Sequence, residues 1–246
     1  MVLIKEAKIL LRIVGVVIIA IFTSGCLRTY YPVIYSTAAS PIVFETNDQD
    51  TLSSKYIGAD LLISNGSYED ESLYLIKGSY NRVYTADYTN FNVKFFGYTG
   101  IYQVAGLHKY NGNKSVFGLG TDLSFNVNFK INRFKMGVGI STGVGAEFGG
   151  YYNFQKTAIA NGVIGGGNNL FIFTFSLFPV FAYQFSESTL LSFQINIGFP
   201  GLITPSITLN KNNNIYWLGY TPINEAHDFP INGGIVLGIM MNLNKF

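Results

Sequence analysis

Phe134 to Tyr152 carries the sequence FKMGVGISTGVGAEFGGYY, in which two kinds of residue alternate. The even-numbered positions are mostly apolar, and the odd-numbered positions are mostly glycine with a few polar groups. Successive side chains of a β-strand point to opposite faces, so the pattern predicts one apolar face and one nearly bare face. At about 3.3 Å per residue, such a strand is long enough to cross a bilayer even when tilted. The bare face suits a narrow, crowded interior, and we therefore predict that the apolar face contacts lipid.

The same alternation recurs along the rest of the chain. Between Val116 and Phe129, for example, Phe117, Leu119 and Leu123 face one way, while Gly118 and Asp122 face the other. Eight strands are predicted in this way, at 55–63, 72–82, 91–103, 116–129, 134–152, 170–185, 189–199 and 233–244. Their connections alternate between short turns and longer loops, a pattern typical of outer-membrane barrels. The pattern predicts an all-β, eight-stranded antiparallel up-and-down transmembrane β-barrel with both of its ends on the short-turn side.

Composition agrees with lipid-facing strands. The chain has 246 residues, of which 48% are hydrophobic but only 12% are charged, about half the charge of an ordinary soluble domain. Beyond the first 26 residues, no apolar run reaches the roughly 18 residues that suggest a membrane helix. High hydropathy without a spanning helix favours strands that alternate between lipid and interior.

The charge balance gives no indication of nucleic-acid binding. The formal net charge is +2, and removal of residues 1–25 takes away three of the 16 basic and one of the 14 acidic residues, which leaves zero. No basic cluster remains to bind phosphates.

The N-terminus contains the single cysteine, Cys26, so no intrachain disulfide can form. A basic start and an apolar run over 13–22 precede Thr23-Ser24-Gly25-Cys26. This arrangement resembles a bacterial lipoprotein signal peptide, which implies a signal helix cleaved after residue 25 and a covalent lipid on Cys26. An ordinary secretory signal with a chance cysteine is the alternative. We divide the chain into the signal peptide (1–25), an extended tether (26–54) and the barrel (55–246), with the lipid in the periplasmic leaflet.

The barrel resembles the small eight-stranded outer-membrane barrels of the OmpA/OmpX/OmpW type, from about residue 55 to residue 246. The resemblance implies outer-membrane lipid and the barrel-assembly machinery as partners. It also implies that the aromatic C-terminal residue, Phe246, is the signal read by that machinery.

Six charged residues are predicted to face the interior: Asp60, Lys77, Lys94, Asp122, Lys135 and Glu147. Side chains fill the interior of an eight-stranded barrel, and an unpaired buried charge is costly. We therefore predict that these residues form ion pairs with a structural role.

Catalytic and metal-binding patterns are weak. His108 with Ser115, or His227 with Glu225 and Asp228, could supply a base, and Glu69-Asp70-Glu71 could hold a metal, but solvated loops explain these residues as well. We predict no catalytic residue, no metal site and no cofactor apart from the covalent lipid.

These features together favour a lipid-anchored, non-enzymatic outer-membrane barrel that acts as a scaffold or binds an unknown partner through its longer loops. The main alternative is a soluble, lipid-anchored, lipocalin-like barrel that encloses an apolar ligand. A narrow pore and a lipid A-modifying enzyme are lesser alternatives.

Overall fold

A computed structural model of the protein describes residues 27–37, 41–44, 51–68, 70–86, 88–167, 169–199, 202–222 and 233–245. Its strands are β1 (Arg28–Thr29), β2 (Thr51–Asn65), β3 (Ser72–Ala86), β4 (Thr89–Val104), β5 (Gly112–Ile131), β6 (Phe134–Phe148), β7 (Ile164–Gly165), β8 (Phe171–Ser186), β9 (Thr189–Phe199), β10 (Leu202–Lys211), β11 (Asn214–Pro222) and β12 (Gly233–Asn242). Its α-helices are α1 (Ile34–Thr37) and α2 (Gly150–Ala160), and a 3₁₀ turn covers Leu243–Lys245. Cys26, His227 and Phe246 lie outside the described residues.

The wall of the barrel is a closed antiparallel sheet in which each strand pairs with its neighbours in the chain, and β12 pairs with β2 to close the ring. The described residues form ten wall strands, so the predicted count of eight is wrong. The two additional strands, β10 and β11, lie within 200–232, which the sequence interpretation treated as one long connection. The β10–β11 ladder begins at Ser206, and Pro205 lies opposite Ile195 in the β9–β10 ladder.

The connections differ in length at the two ends of the wall. At one end, which we name the short-turn end, the connections are 87–88, 132–133, 187–188 and 212–213. At the other end, which we name the long-loop mouth, they include 66–71, 105–111 and 149–170. The even strand count places the start of β2 and the end of β12 at the short-turn end, in agreement with the parity that the sequence predicted.

Several strand ends differ from the prediction. The unplaced connection at 83–90 is mostly strand, because β3 and β4 continue to a two-residue turn. The strand predicted to reach Tyr152 ends at Phe148, because Gly149 adopts a φ of 103° and α2 begins at the next residue. A left-handed backbone of this kind is favourable for glycine.

The apolar rows of the wall face outward. Phe173 is 70% exposed, Leu119 59% and Phe117 48%, whereas Asp122, on the opposite face of β5, is buried. The exposed large apolar residues occur on every wall strand from β2 to β12. A lipocalin-like arrangement is therefore excluded, because it would enclose this apolar face around a ligand.

Glycines on the inner face of β5 and β6 leave room for larger side chains that cross the lumen. A Cβ added to Gly120 would lie 2.6 Å from the ring of Phe96. A Cβ on Gly139 would meet Phe178, and a Cβ on Gly143 would meet the carboxylate of Asp122. The glycine row thus forms one side of a packed interior, as the alternation in β6 predicted. Within the described residues, no helix has the length and apolar character needed to cross a membrane.

Candidate functional site in the barrel lumen

The lumen is occupied by the residues that precede β2. We name residues 27–37 and 41–44 the luminal segment. Tyr30, Val33, Ile34, Val43 and Phe44 are each no more than 4% exposed. The sequence interpretation made 26–54 an extended tether between the lipid and the first strand; in the structure, 51–54 belong to β2, and the apolar side chains of the luminal segment named above are buried. Its apolar composition is the physical reason, because these side chains gain free energy when they leave water.

The luminal segment is bound at the long-loop mouth by main-chain and side-chain contacts. Arg28 donates from Nη1 to the carbonyl of Ala105 at 2.8 Å, and its guanidinium lies 4.3 Å from the ring centre of Tyr68. The N–H of Thr29 donates to the Tyr68 hydroxyl at 2.7 Å. Strand β1 also pairs in parallel with β7, which lies in the 149–170 loop. Three different loops of the mouth therefore contact the first residues of the segment.

Glu71 is the polar centre of this mouth. Its carboxylate accepts hydrogen bonds from the hydroxyls of Tyr30 at 2.5 Å and Tyr102 at 2.7 Å, and from the N–H of Ala105 at 3.1 Å. Tyr30 is buried, and a tyrosine hydroxyl keeps its proton at neutral pH, so it is a donor to Glu71. The sequence interpretation assigned Glu71 to a solvated acidic run, but its side chain is only 3% exposed.

Aromatic rings surround Glu71 and cover the top of the lumen. The ring of Tyr30 packs edge-on against Phe154 of α2 at 5.2 Å, and Tyr102 stacks on Tyr151 at 4.3 Å. Tyr151 donates its hydroxyl to the carbonyl of Tyr31 at 3.0 Å. Contacts of this kind add to the free energy gained from burying the rings. Helix α2 thus fastens the luminal segment from above, a role that the predicted loop at 153–169 did not suggest.

Glu147 holds the luminal segment below this aromatic layer. Its Oε2 accepts the N–H of Ile34 at 3.1 Å and the hydroxyl of Tyr98 at 3.0 Å. The sequence interpretation paired Glu147 with a lysine, and the structure instead gives it these two donors. Its Oε1 has no hydrogen-bond partner among the described residues. The side chain of Ile34 fills the space beside Gly145, where a Cβ would collide with it.

The lower part of the luminal segment contacts β9 and β10. The N–H of Ile42 donates to Oε1 of Gln194 at 2.9 Å, and Asn210 donates from Nδ2 to the carbonyl of Phe44 at 2.7 Å. Phe44 also forms an apolar cluster with Val180, Ala182 and Leu190. Polar side chains of the wall thus satisfy the main chain of the segment, which has no regular ladder there.

Four of the six predicted interior charges form two ion pairs across neighbouring strands. Lys77 and Asp60 are 2.9 Å apart, and Lys94 and Asp122 are 2.7 Å apart. Both pairs are nearly fully buried, and each joins residues directly opposite in the ladder. Trp217 of β11 donates its indole N–H to Asp60 at 3.1 Å, so that this carboxylate has a second partner.

Lys135 lies in a different place from the other five predicted charges. It is half-buried and opposite Lys130, near the short-turn end. Gly143, which faces Asp122, is eight residues further along the same strand, a distance of about 26 Å. The structure therefore does not bring Lys135 into the layer of charges at Asp122.

The interior between the luminal segment and the wall contains a small polar cavity. Its volume is about 20 Å³, enough for a single water molecule. Its lining includes Lys94, Asp122, Gln194 and Asn196 from the wall and Ile42 from the luminal segment. A cavity of this size can hydrate the Lys94–Asp122 pair but cannot hold an organic ligand.

The weak catalytic candidates that the structure describes are His108 and Ser115. His108 is exposed in the 105–111 loop. The hydroxyl of Ser115 accepts the N–H of Gly150 at 3.0 Å, at the first turn of α2. Glu225, His227 and Asp228 lie outside the described residues, as does Glu69.

Sequence reasoning missed Tyr30, Ile34, Glu71, Gln194 and Asn210 as parts of the site. A signal was present in the composition of the predicted tether, because Tyr30-Tyr31 and Ile42-Val43-Phe44 are too apolar for a solvated linker. Glu71 had no such signal, because its burial depends on tyrosines from three separate parts of the chain.

The closed antiparallel wall, with its exposed apolar rows, has the architecture of a small outer-membrane β-barrel. Among solved structures, the chain is similar to the TodX deltaS2S3 mutant monoaromatic hydrocarbon channel, at 9% identity over 88% of this chain and 73% of that chain, with a TM-score of 0.41. It is also similar to the outer membrane protein OprG from Pseudomonas aeruginosa (10% identity, 81% of this chain, 96% of that chain, TM-score 0.37). A third is neisserial surface protein A, NspA (12% identity, 78% of this chain, 99% of that chain, TM-score 0.31). No family model and no curated protein matches the chain.

Proposed function

We propose that this chain is an integral outer-membrane β-barrel with a closed lumen, and that it acts as a non-enzymatic scaffold whose long-loop mouth binds a partner. The outer surface supports the membrane assignment. Apolar residues are exposed around the whole wall, far more than a soluble monomer presents. Near the short-turn end, Phe134 and Tyr183 pack with ring centres 4.9 Å apart, and such aromatic residues are typical of the membrane–water interface.

The single observation that carries the scaffold role is the luminal segment. It passes Glu71, Glu147, Gln194 and Asn210 in turn and packs against apolar wall residues at both ends of the barrel. We expect a lumen occupied in this way to carry no steady ionic current. Covalent lipid on Cys26, insertion by the barrel-assembly machinery and recognition of Phe246 by that machinery belong to the same proposal.

Conductance of the purified protein in planar lipid bilayers tests the closed lumen. The wild-type chain should insert without a steady ohmic current. A variant lacking 27–44, with the signal peptide joined to the residues before β2, is the matched control and should conduct, because removal of this segment exposes the polar inner face of β9 and β10 to water. Steady current through the wild-type barrel would contradict the scaffold proposal.

A gated pore is the second candidate function, and the polar lining favours it. Ser192, Gln194 and Asn196 on β9, and Thr204, Ser206, Thr208 and Asn210 on β10, are all buried and face the lumen. A wall built only to surround an apolar plug does not need so many hydroxyl and amide groups. The double variant Gln194→Ala/Asn210→Ala weakens the lower contacts of the luminal segment, and transient openings in that variant alone would favour a gate.

A further inference from the structure

We propose that the chain crosses its own barrel, so that residue 27 emerges at the long-loop mouth and a lipid on Cys26 anchors the protein in the outer leaflet. This inference rests on the proposed lipid attachment and membrane location. It differs from the sequence-based expectation of an anchor in the periplasmic leaflet. The experiment below separates failure of the lipid from failure of the path.

The direction of the luminal segment follows from the wall residues that it contacts in order. Arg28 and Tyr30 contact Ala105 and Glu71, which belong to loops of the long-loop mouth. Further along, Ile34 contacts Glu147, the second-last residue of β6 at that same end.

The following contacts lie progressively deeper. Ile42 bonds to Gln194, which is halfway along β9, and Phe44 bonds to Asn210, one residue before β10 ends at the short-turn end. Strand β2 then begins at Thr51, also at the short-turn end. The segment therefore runs through the barrel from one end to the other.

The length of the segment is sufficient for this path. A 15-residue wall strand such as β2 is about 50 Å long, and a tilt of about 40° gives a wall about 38 Å high. The 16 steps from Arg28 to Phe44 span at most about 55 Å when extended. The chain can thus cross the wall height and still form the short helix α1.

The position of Leu27 fixes the side on which the N-terminal end lies. Leu27 is 53% exposed, and the two residues after it are bound to the 105–111 and 66–71 loops. Residue 26 is joined to Leu27 by a single peptide bond. Tyr30, Val33 and Ile34 already fill the lumen beneath them. An acyl chain on residue 26 therefore starts at the long-loop mouth, about one wall height from the periplasmic leaflet. Longer loops are extracellular in barrels of this kind.

Cysteine labelling in intact cells tests the path. Single substitutions Leu27→Cys, His108→Cys at the long-loop mouth and Glu187→Cys at the short-turn end are each treated with a membrane-impermeant maleimide-polyethylene glycol, before and after permeabilisation. Leu27→Cys should react in the same condition as His108→Cys, and Glu187→Cys in the other. Reaction of Leu27→Cys together with Glu187→Cys would overturn the inference, whichever way the barrel is oriented in the membrane.

The wild-type chain and an acylation assay separate the lipid from the path. Alkyne-palmitate should label the wild-type chain but not Cys26→Ser, and the wild-type chain should not react with the maleimide because its only thiol is acylated. If the wild-type chain reacts with the maleimide and takes up no palmitate, Cys26 carries no lipid. The side of the membrane from which Cys26 then reacts tests the path of the chain independently of the lipid. Folding of each variant is checked by the difference in gel mobility between unboiled and boiled protein. If Leu27→Cys loses this difference, Tyr31→Cys replaces it, since Tyr31 is 40% exposed at the same mouth.

Discussion

The two halves of the barrel interior satisfy their buried polar groups in different ways. On β2 to β5, Lys77 and Lys94 pair with aspartates of the neighbouring strands, so these buried charges are neutralised by the wall itself, without the luminal segment. On β9 and β10 the buried groups are neutral, and Gln194 and Asn210 bond to the main chain of the luminal segment. The comparison teaches that the charged half stabilises the wall, whereas the neutral half positions the segment inside it.

The largest effect is expected on the charged half. Lys77→Met leaves Asp60 buried with the Trp217 indole as its remaining partner among the described residues, and removal of one member of a buried ion pair costs about 3–5 kcal/mol. Denaturant unfolding in detergent micelles should show this decrease in the free energy of unfolding. The double variant Asp60→Asn/Lys77→Met removes both charges and should recover most of the loss. Equal destabilisation by the single and double variants would show that the charge pair is not the cause.

The second-largest loss of stability is expected from a substitution on the outer face. Ile140 lies near the centre of β6, is 46% exposed and pairs with Phe125 and Leu177. Ile140→Arg should lower the free energy of unfolding in lipid by about 2–4 kcal/mol, because a charge at the bilayer midplane is poorly solvated. Phe134→Arg, at the short-turn end of the same strand, is the matched control and should cost about 0–1 kcal/mol. A loss of equal size at both depths would argue against the lipid-facing assignment.

A substitution on the inner face separates the luminal segment from the wall. Gly145→Leu places a side chain where Ile34 lies, and overpacking of this kind costs about 1–3 kcal/mol. We expect it to displace the luminal segment without opening the ring of strands. A disulfide between Phe44→Cys and Asn210→Cys should form efficiently in the otherwise wild-type chain and poorly when Gly145→Leu is added.

The control for that variant is Gly78→Leu on the outer face, where Gly78 is exposed and a Cβ meets no atom within 4 Å. This variant should leave the disulfide yield unchanged. If both leucines lowered the yield to the same extent, contact with Ile34 would not be the reason.

The smallest effect is expected on the neutral half. Gln194→Ala removes the acceptor for the Ile42 N–H, and a neutral hydrogen bond contributes about 0.5–1.5 kcal/mol. The yield of the disulfide between Phe44→Cys and Asn210→Cys should fall slightly. The free energy of unfolding of the wall, measured with denaturant, should change little. A fall in wall stability as large as that of Lys77→Met would remove the distinction between the two halves.

Alternation along single strands made most of the wall predictable from sequence. The alternation of apolar residues with glycine in β5 and β6 predicted which face of each strand is outward. The same two-residue period predicted that Asp60, Lys77, Lys94 and Asp122 face inward. The β10–β11 hairpin had the same alternation, with Ile203, Ile207 and Leu209 outward, but the sequence interpretation treated 200–232 as one connection. The number of strands was therefore less predictable than the direction of their faces.

The luminal segment could not be predicted in the same way. Its path depends on contacts between residues far apart in sequence, such as Ile34 with Glu147 and Phe44 with Asn210. No local periodicity records such contacts, because the segment has no regular structure beyond β1 and α1. Its apolar residues indicated burial, but only the closed wall determines where they are buried.

A ring of hydrogen-bonded strands that encircles part of its own chain restricts the order of assembly. The luminal segment cannot move in sideways once the ring is complete, because two neighbouring strands would first have to separate along their whole length. It immediately precedes β2, and the partner that completes the ring is β12, near the end of the chain. Entry from the side therefore requires the earliest and latest wall strands to meet around residues that are already in place, and on that route the β2–β12 seam forms last.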